Sequence, residues 1–256
     1  GYKIENKIEK LDLVMTNLED YQNQGYNIIL DSLKKRKEFK ETSKGFSYTL
    51  LEPLTQGLNM IYPHEIIKDR NDFDISDDTL DIRSKIGEGK TDSEVSKIDD
   101  EDEISKNESE KIDKDVYREL YGTRGLTRTM NYDVKTKRNF TYKKEILEKY
   151  GRIFSPDNIS KYSSKISYIC NSIRESKGII FVYSQYIDGG CIPIALALEE
   201  MGVTRYGNDG SLFKDSKIEQ LNAYTMKPRE KNEKFSPAKY AMISGDRKLT
   251  SDVEKE

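Results

Sequence analysis

The stretch Tyr162–Gly207, YSSKISYICNSIRESKGIIFVYSQYIDGGCIPIALALEEMGVTRYG, decides the fold. Ile166, Ile169, Cys170 and Ile173 recur at helical spacing, so 163–174 reads as an amphipathic helix. After Gly178 comes Ile179-Ile180-Phe181-Val182-Tyr183, a short β-branched and aromatic run without alternation. Such a run describes a strand buried on both faces, as in a parallel sheet. Asp188-Gly189-Gly190 turns the chain into a helix over 191–201, and Gly202 ends it. Residues 203–206 read as a further short strand. Helix, strand, helix and strand in this order predict an α/β layer with parallel strands.

Outward from this core the patterns continue in both directions. Residues 8–15 (IEKLDLVM) read as a strand. Leu18, Tyr21, Gly25, Ile28, Ile29 and Leu33 mark a helix that runs into the basic stretch Lys34-Lys35-Arg36-Lys37, which suits the negative end of its dipole. A second helix is expected over 49–62, stopping before Pro63, and a third over 142–150, closed by Gly151. Downstream, 207–237 is polar and irregular, an insertion. Residues 239–243 (KYAMI) read as a strand, followed by the turn Ser244-Gly245-Asp246. Ser251-Asp252-Val253-Glu254 has the pattern of a capping box that begins a helix.

Composition divides the 256 residues into two objects of opposite charge. Apolar residues make up 35% and charged residues 35%, against about 25% charged in an ordinary globular chain. Between Asn71 and Asp115 there are 17 acidic and 7 basic side chains, while the remainder carries 36 basic and 29 acidic ones. The acidic block has one aromatic residue (Phe73) and no period of 2 or 3.6. It has too little apolar surface to offset its ordering entropy, so a disordered insertion is expected.

Several kinds of chemistry drop out. One histidine (His64) and two cysteines (Cys170 and Cys191) cannot build a zinc site of the usual N/S type. They also supply neither a disulfide scaffold nor a convincing nucleophile–histidine pair, and the count suits a reducing compartment. Tyr62-Pro63-His64 reads as a helix stop packed against the body, and the cysteines as small buried thiols. No apolar run approaches the roughly 20 residues of a membrane span. The first residues have no apolar core of a signal peptide, and the start at Gly1 suggests a piece of a longer protein. The carboxylates of 71–115 have nothing to fix their spacing or shift their acidity. Ser84–Thr91, SKIGEGKT, approaches the phosphate-cradling pattern GxxxxGK[ST]. It lacks the preceding buried strand and the following helix face, and Ser84 stands where the first glycine belongs, so it reads as a chance match.

Ser163-Ser164-Lys165-Ile166, then GIIFVYSQY, a helix ending EEMG, and YAMISGD together resemble the second RecA-like lobe of superfamily 2 helicases. The similarity is to the chromatin-remodeller-like branch of nucleocytoplasmic large DNA viruses, which includes the poxvirus early-transcription helicase. FVYSQY (181–186) is similar to motif IV of that family, and SGD (244–246) to the turn after its next strand. Leu13-Val14-Met15 with Tyr21-Gln22 and Tyr26 resembles the end of the first lobe. LLEPLTQGLNMIYPHE (50–65) resembles the junction, and ELYGTRGLTRTMNY (119–132) and KYGRIFSP (149–156) resemble giant-virus versions.

The resemblance implies a partial RecA-like lobe, a parallel sheet with flanking helices, preceded by a helical inter-lobe region. Residues 1–45 would end the first lobe, 46–70 form the junction, 71–115 the acidic insertion, and 116–256 the first part of the second lobe. The parent would be an ATP- and Mg2+-dependent helicase or translocase serving viral transcription in the host cytoplasm or virion. Its phosphate loop and acidic box would precede Gly1, and its motifs V and VI would follow Glu256. This window would therefore carry no catalytic, cofactor or metal ligand and hydrolyse no ATP by itself. Its partners would be nucleic acid, DNA in preference to RNA, and viral transcription machinery, with no membrane. Lys165, Ser184 and Gln185 would contact the nucleic-acid backbone, as would Gly245. From the residues alone, the strand's polar end at Ser184 and Gln185 lies where open α/β sheets bind ligands, and the 188–190 turn would leave backbone N–H groups near the surface. Such donors hold phosphates without reading bases. The alternative is a non-catalytic RecA-like interaction module whose acidic arm docks on a partner.

Overall fold

The computed structural model describes residues 11–35, 48–67, 116–207, 210–215, 218–230 and 234–251. The acidic block 71–115, the SKIGEGKT match and the residues after Ser251 in the capping-box pattern lie outside them. The described chain mixes helices with two small sheets.

Helix α1 (Asp20–Lys34) buries Tyr21, Gly25, Ile29 and Leu33, the stripe its spacing predicts. Helix α2 (Tyr48–Asn59) crosses it closely. A Cβ at Gly25 would come within 2.5 Å of Ile61, and one at Gly57 within 2.9 Å of Ile29. Gln22 is fully buried between them. Its amide donates to the carbonyls of Gly57 and Leu58 at 3.3 Å and its oxygen accepts from the Ser164 N–H at 3.0 Å. The second helix ends earlier than its apolar pattern suggests. Met60, Ile61 and Tyr62 leave the helix and pass through the core, where the Ile61 and Tyr62 N–H groups donate to the carbonyls of Tyr162 and Leu120. Within 8–15, the described residues 11–15 form no strand, and Leu11, Leu13 and Met15 are exposed.

A 3-10 turn (Tyr117–Leu120) leads into α3 (Gly122–Thr129) and an antiparallel hairpin, β1 (Met130–Asp133) with β2 (Arg138–Tyr142). The Asp133 carboxylate accepts from the Lys135 N–H at 2.8 Å to form the turn, and Tyr132 stacks on Phe140 at 4.7 Å. Helix α4 (Lys144–Tyr150) closes at Gly151, whose φ of 70° suits glycine. After a single turn, α5 (Ile159–Tyr162), comes α6 (Ser164–Glu175). Ser163 caps it, accepting from the Ile166 N–H at 2.9 Å.

The central expectation for 179–183 does not hold. The segment is not a strand, and among the described residues no main-chain hydrogen bond joins it to another segment. Ile179, Phe181 and Tyr183 are 103%, 84% and 80% exposed, while Ile180 and Val182 between them are 42% and 37% exposed. The period-2 alternation shows one side turned toward the body and the other toward solvent. Burial on both faces requires neighbouring strands and a second covering layer, and here neither is present among the described residues.

A short π-helical turn (Ile187–Cys191) enters α7 (Ile192–Met201), which is apolar nearly all round and almost wholly buried. Gly202 ends it with φ 101°. Strand β3 (Thr204–Arg205) then pairs in parallel with β4 (Lys239–Tyr240), in register Thr204 with Lys239 and Arg205 with Tyr240. This parallel pair was expected, though both strands are shorter than their patterns. The 207–237 region is irregular but not detached. Leu212, Phe213 and Leu221 are buried in the shared core, and Phe140 bridges Phe213. Buried residues from 21 to 249 form one cluster, so the junction and the later segments share a core.

Candidate nucleic-acid interface

Three of the four predicted contact residues come together. Lys165 on the first turn of α6 and Ser184 and Gln185 before the π turn line one groove of ≈190 Å³. Thr55 and Asn59 of α2, Gly190, Tyr183, Tyr186 and three isoleucines complete its lining. Gly245 is not part of it. It lies in a separate turn held by Ser244, whose hydroxyl donates to the Asp246 carbonyl at 2.9 Å, and no atom lies within 4 Å of a Cβ built there.

The Lys165 ammonium donates to the Asn59 side-chain oxygen at 2.7 Å. Partial burial lowers the lysine pKa, and no carboxylate of a described residue offsets that effect. Among the described residues no acidic side chain lines the groove. Ser184 makes a local turn, donating to the Tyr186 carbonyl at 3.2 Å and accepting from the Tyr186 N–H at 3.3 Å. Gly190 permits the close approach of that serine, because a Cβ would collide with its hydroxyl. The arrangement supplies an ammonium and carboxamides, the donor types that hold oxyanions.

The glycines of the 188–190 turn do not present free N–H groups at the surface as expected. Gly189 and Gly190 are buried, with the Gln56 side chain packed over Gly189. Asp188 faces away from the groove's lining. Its carboxylate accepts from the Lys137 ammonium and the Thr123 hydroxyl, each at 2.6 Å, and its carbonyl accepts from the buried Tyr62 hydroxyl. The Asp188 carboxylate is thus paired with a lysine 51 positions away.

Thr55 and Asn59 were missed in the sequence. Nothing local marks them, because the Asn59–Lys165 contact spans 106 positions. His64 packs as a helix stop should. It is 7% exposed, its Nδ1 accepts from the Ile66 N–H at 3.2 Å, and its Nε2 therefore donates to Glu119 at 3.3 Å. Arg128 donates to the same carboxylate at 3.1 Å. Burial lowers the His64 pKa, Arg128 lowers it further, and Glu119 partly opposes both. Cys170 is buried with its thiol pushed up to about 11, and burial also raises that of Cys191. Neither carries the activated thiolate of a nucleophile.

Among the described residues no group of three or more His, Cys, Asp or Glu side chains could hold a metal ion. Among them, no helix is long and apolar enough to cross a membrane. No family model, no curated protein and no solved structure matches the chain.

Proposed function

We propose that this chain is part of an ATP-dependent nucleic-acid helicase or translocase of a large DNA virus, serving transcription, in which it contributes backbone contacts and lobe structure rather than the ATP site. The observation that carries this reading is the groove uniting Lys165 with Ser184 and Gln185, in which no acidic side chain of the described residues takes part. Backbone-directed recognition uses ammonium, hydroxyl and amide donors of this kind, which here stand beside Tyr183, Tyr186 and the isoleucines of the same lining. The ordered set of motifs from LLEPLTQGLNMIYPHE to YAMISGD and the parallel β3–β4 pair beside α7 are consistent with a RecA-like lobe.

The exposed apolar face of Ile179, Phe181 and Tyr183 favours a second reading, an interaction module that uses this face and the acidic segment to dock on a partner. The two readings separate in one experiment. The open reading frame encoding the chain is read on both sides, and the assembled product is assayed for ATP turnover with and without single-stranded DNA. A phosphate loop upstream, an arginine-bearing motif downstream and strand-stimulated turnover are expected. Absence of both motifs together with no turnover overturns the motor reading.

A further inference from the structure

We propose that α2 supplies half of an anion seat, in which Asn59 positions the Lys165 ammonium to hold one phosphate group, a phosphodiester of a bound strand. The strand as ligand rests on the nucleic-acid reading above, whereas the seat itself does not. Lys165, an exposed lysine, donates at 2.7 Å to a neutral carboxamide rather than to an acid, so the contact orients the ammonium while its charge stays available. Because the Asn59 oxygen accepts from the lysine, its NH2 group is the free end of that carboxamide, and no protein acceptor takes it among the described residues. The Gln185 carboxamide likewise makes no side-chain hydrogen bond to a described residue while lining the same groove. Three donor-bearing side chains thus line one groove of ≈190 Å³, with no carboxylate of a described residue among its lining. Partial burial depresses the lysine's charged form, and a bound anion would relieve that cost.

Asn59 is a positioning residue in this scheme, and substitutions that alter charge and geometry separately test it. The full chain is titrated with a fluorescent single-stranded oligonucleotide over a salt series, and separately with inorganic phosphate at constant ionic strength. Lys165→Ala removes one phosphate contact and should reduce the salt slope by about 0.7 on a single strand. Asn59→Asp places a carboxylate against the ammonium and should reproduce that loss of slope with unimpaired melting. Asn59→Ala leaves the charge but removes the pin, so affinity should fall about two- to tenfold with the slope unchanged. A contact that only ties α6 to α2 would move melting in all three variants and the slope in none. Phosphate binding that is lost in the variants, with no oligonucleotide binding by the parent, supports the seat and overturns the strand as its ligand. Unchanged binding of both probes by folded Asn59→Asp and Lys165→Ala overturns the seat.

Discussion

Glu199 and Glu200 are neighbours on α7, both buried, and their carboxylates serve different parts of the molecule. Glu199 accepts from the N–H groups of Leu212 and Phe213 at 2.7 and 3.0 Å, from the Ser211 hydroxyl, and from the Tyr240 hydroxyl at 2.7 Å. Glu200 accepts from Arg152 at 2.8 Å and from the Tyr142 hydroxyl at 2.8 Å. One carboxylate fastens the irregular segment after β3 to β4, and the other fastens the hairpin and the turn after α4. Buried charges survive only when so satisfied. Burial together with the adjacent carboxylate raises the pKa of Tyr142 and Tyr240, which therefore remain protonated donors.

Glu199→Gln replaces an acceptor of several hydrogen bonds with an amide whose NH2 end faces other donors. The cost should be about 2 kcal/mol, read by chemical denaturation. Amide exchange at Leu212 and Phe213 should accelerate. Unchanged exchange there would show that the loop is held by its apolar contacts alone.

Arg152→Ala leaves the Glu200 carboxylate, 1% exposed, with the Tyr142 hydroxyl as its remaining partner among the described residues. Arg152 is itself 44% exposed, so the loss should fall below that of a fully buried pair, about 2 kcal/mol. Arg152→Ala combined with Glu200→Gln should recover part of it, because the orphaned charge is gone. A double variant less stable than the single one contradicts this account.

His64 should make the protein acid-sensitive. Its pKa is lowered on folding, so the unfolded chain binds the proton first as pH falls. Stability contributed by the neutral ring is full above about 6.5 and declines as pH drops below that unfolded value. The charged groups facing the ring are Glu119, Arg128 and Glu65. Melting temperature measured from pH 7.5 to 5.5 should fall more steeply in the parent than in His64→Gln. Parallel curves would rule the ring out as the cause.

Gly202→Ala should destabilise for two separate reasons. Its φ of 101° strains any L side chain, and a Cβ would lie 2.5 Å from the Glu219 carbonyl oxygen. A loss of at least about 1 kcal/mol is expected, against almost none for Gly210→Ala if space alone mattered, since nothing lies within 4 Å there. Gly210 also has positive φ, at 70°, so the difference between the two isolates the steric part.

Phe181→Lys should suppress self-association. The run Ile179–Tyr183 has no proline and no charge, and its alternate side chains face solvent, the features of an unprotected edge. Sedimentation should show concentration-dependent association by the parent that the lysine variant lacks, with similar melting because Phe181 is 84% exposed. A monodisperse parent at high concentration would contradict it.

Local pattern located α1, α4, α6 and α7 to within about two residues, but neither the end of α2 nor the existence of α3. The stripe of α1, the Ser163 cap of α6, the extent of α7, and the left-handed glycines 151 and 202 all follow from interactions within a turn or two, so short stretches encode them. The parallel sense of β3 and β4 matches the expected parallel layer, but the crossover read around α7 is absent, because 179–183 is no strand and β3 reaches β4 through the irregular segment after it. The hairpin 130–142 did not show itself, because its turn uses Asp133 with positive φ at Lys137 and Asn139 in place of an Asn-Gly signal. Ile179–Tyr183 was misjudged because apolarity records what a segment is able to bury, whereas actual burial depends on which strands lie beside it. Only the tertiary structure decided that Asn59 meets Lys165, that Gly245 stands apart, and that two adjacent glutamates go inside. Each of those outcomes depends on partners brought from distant parts of the chain, and no local periodicity carries that information.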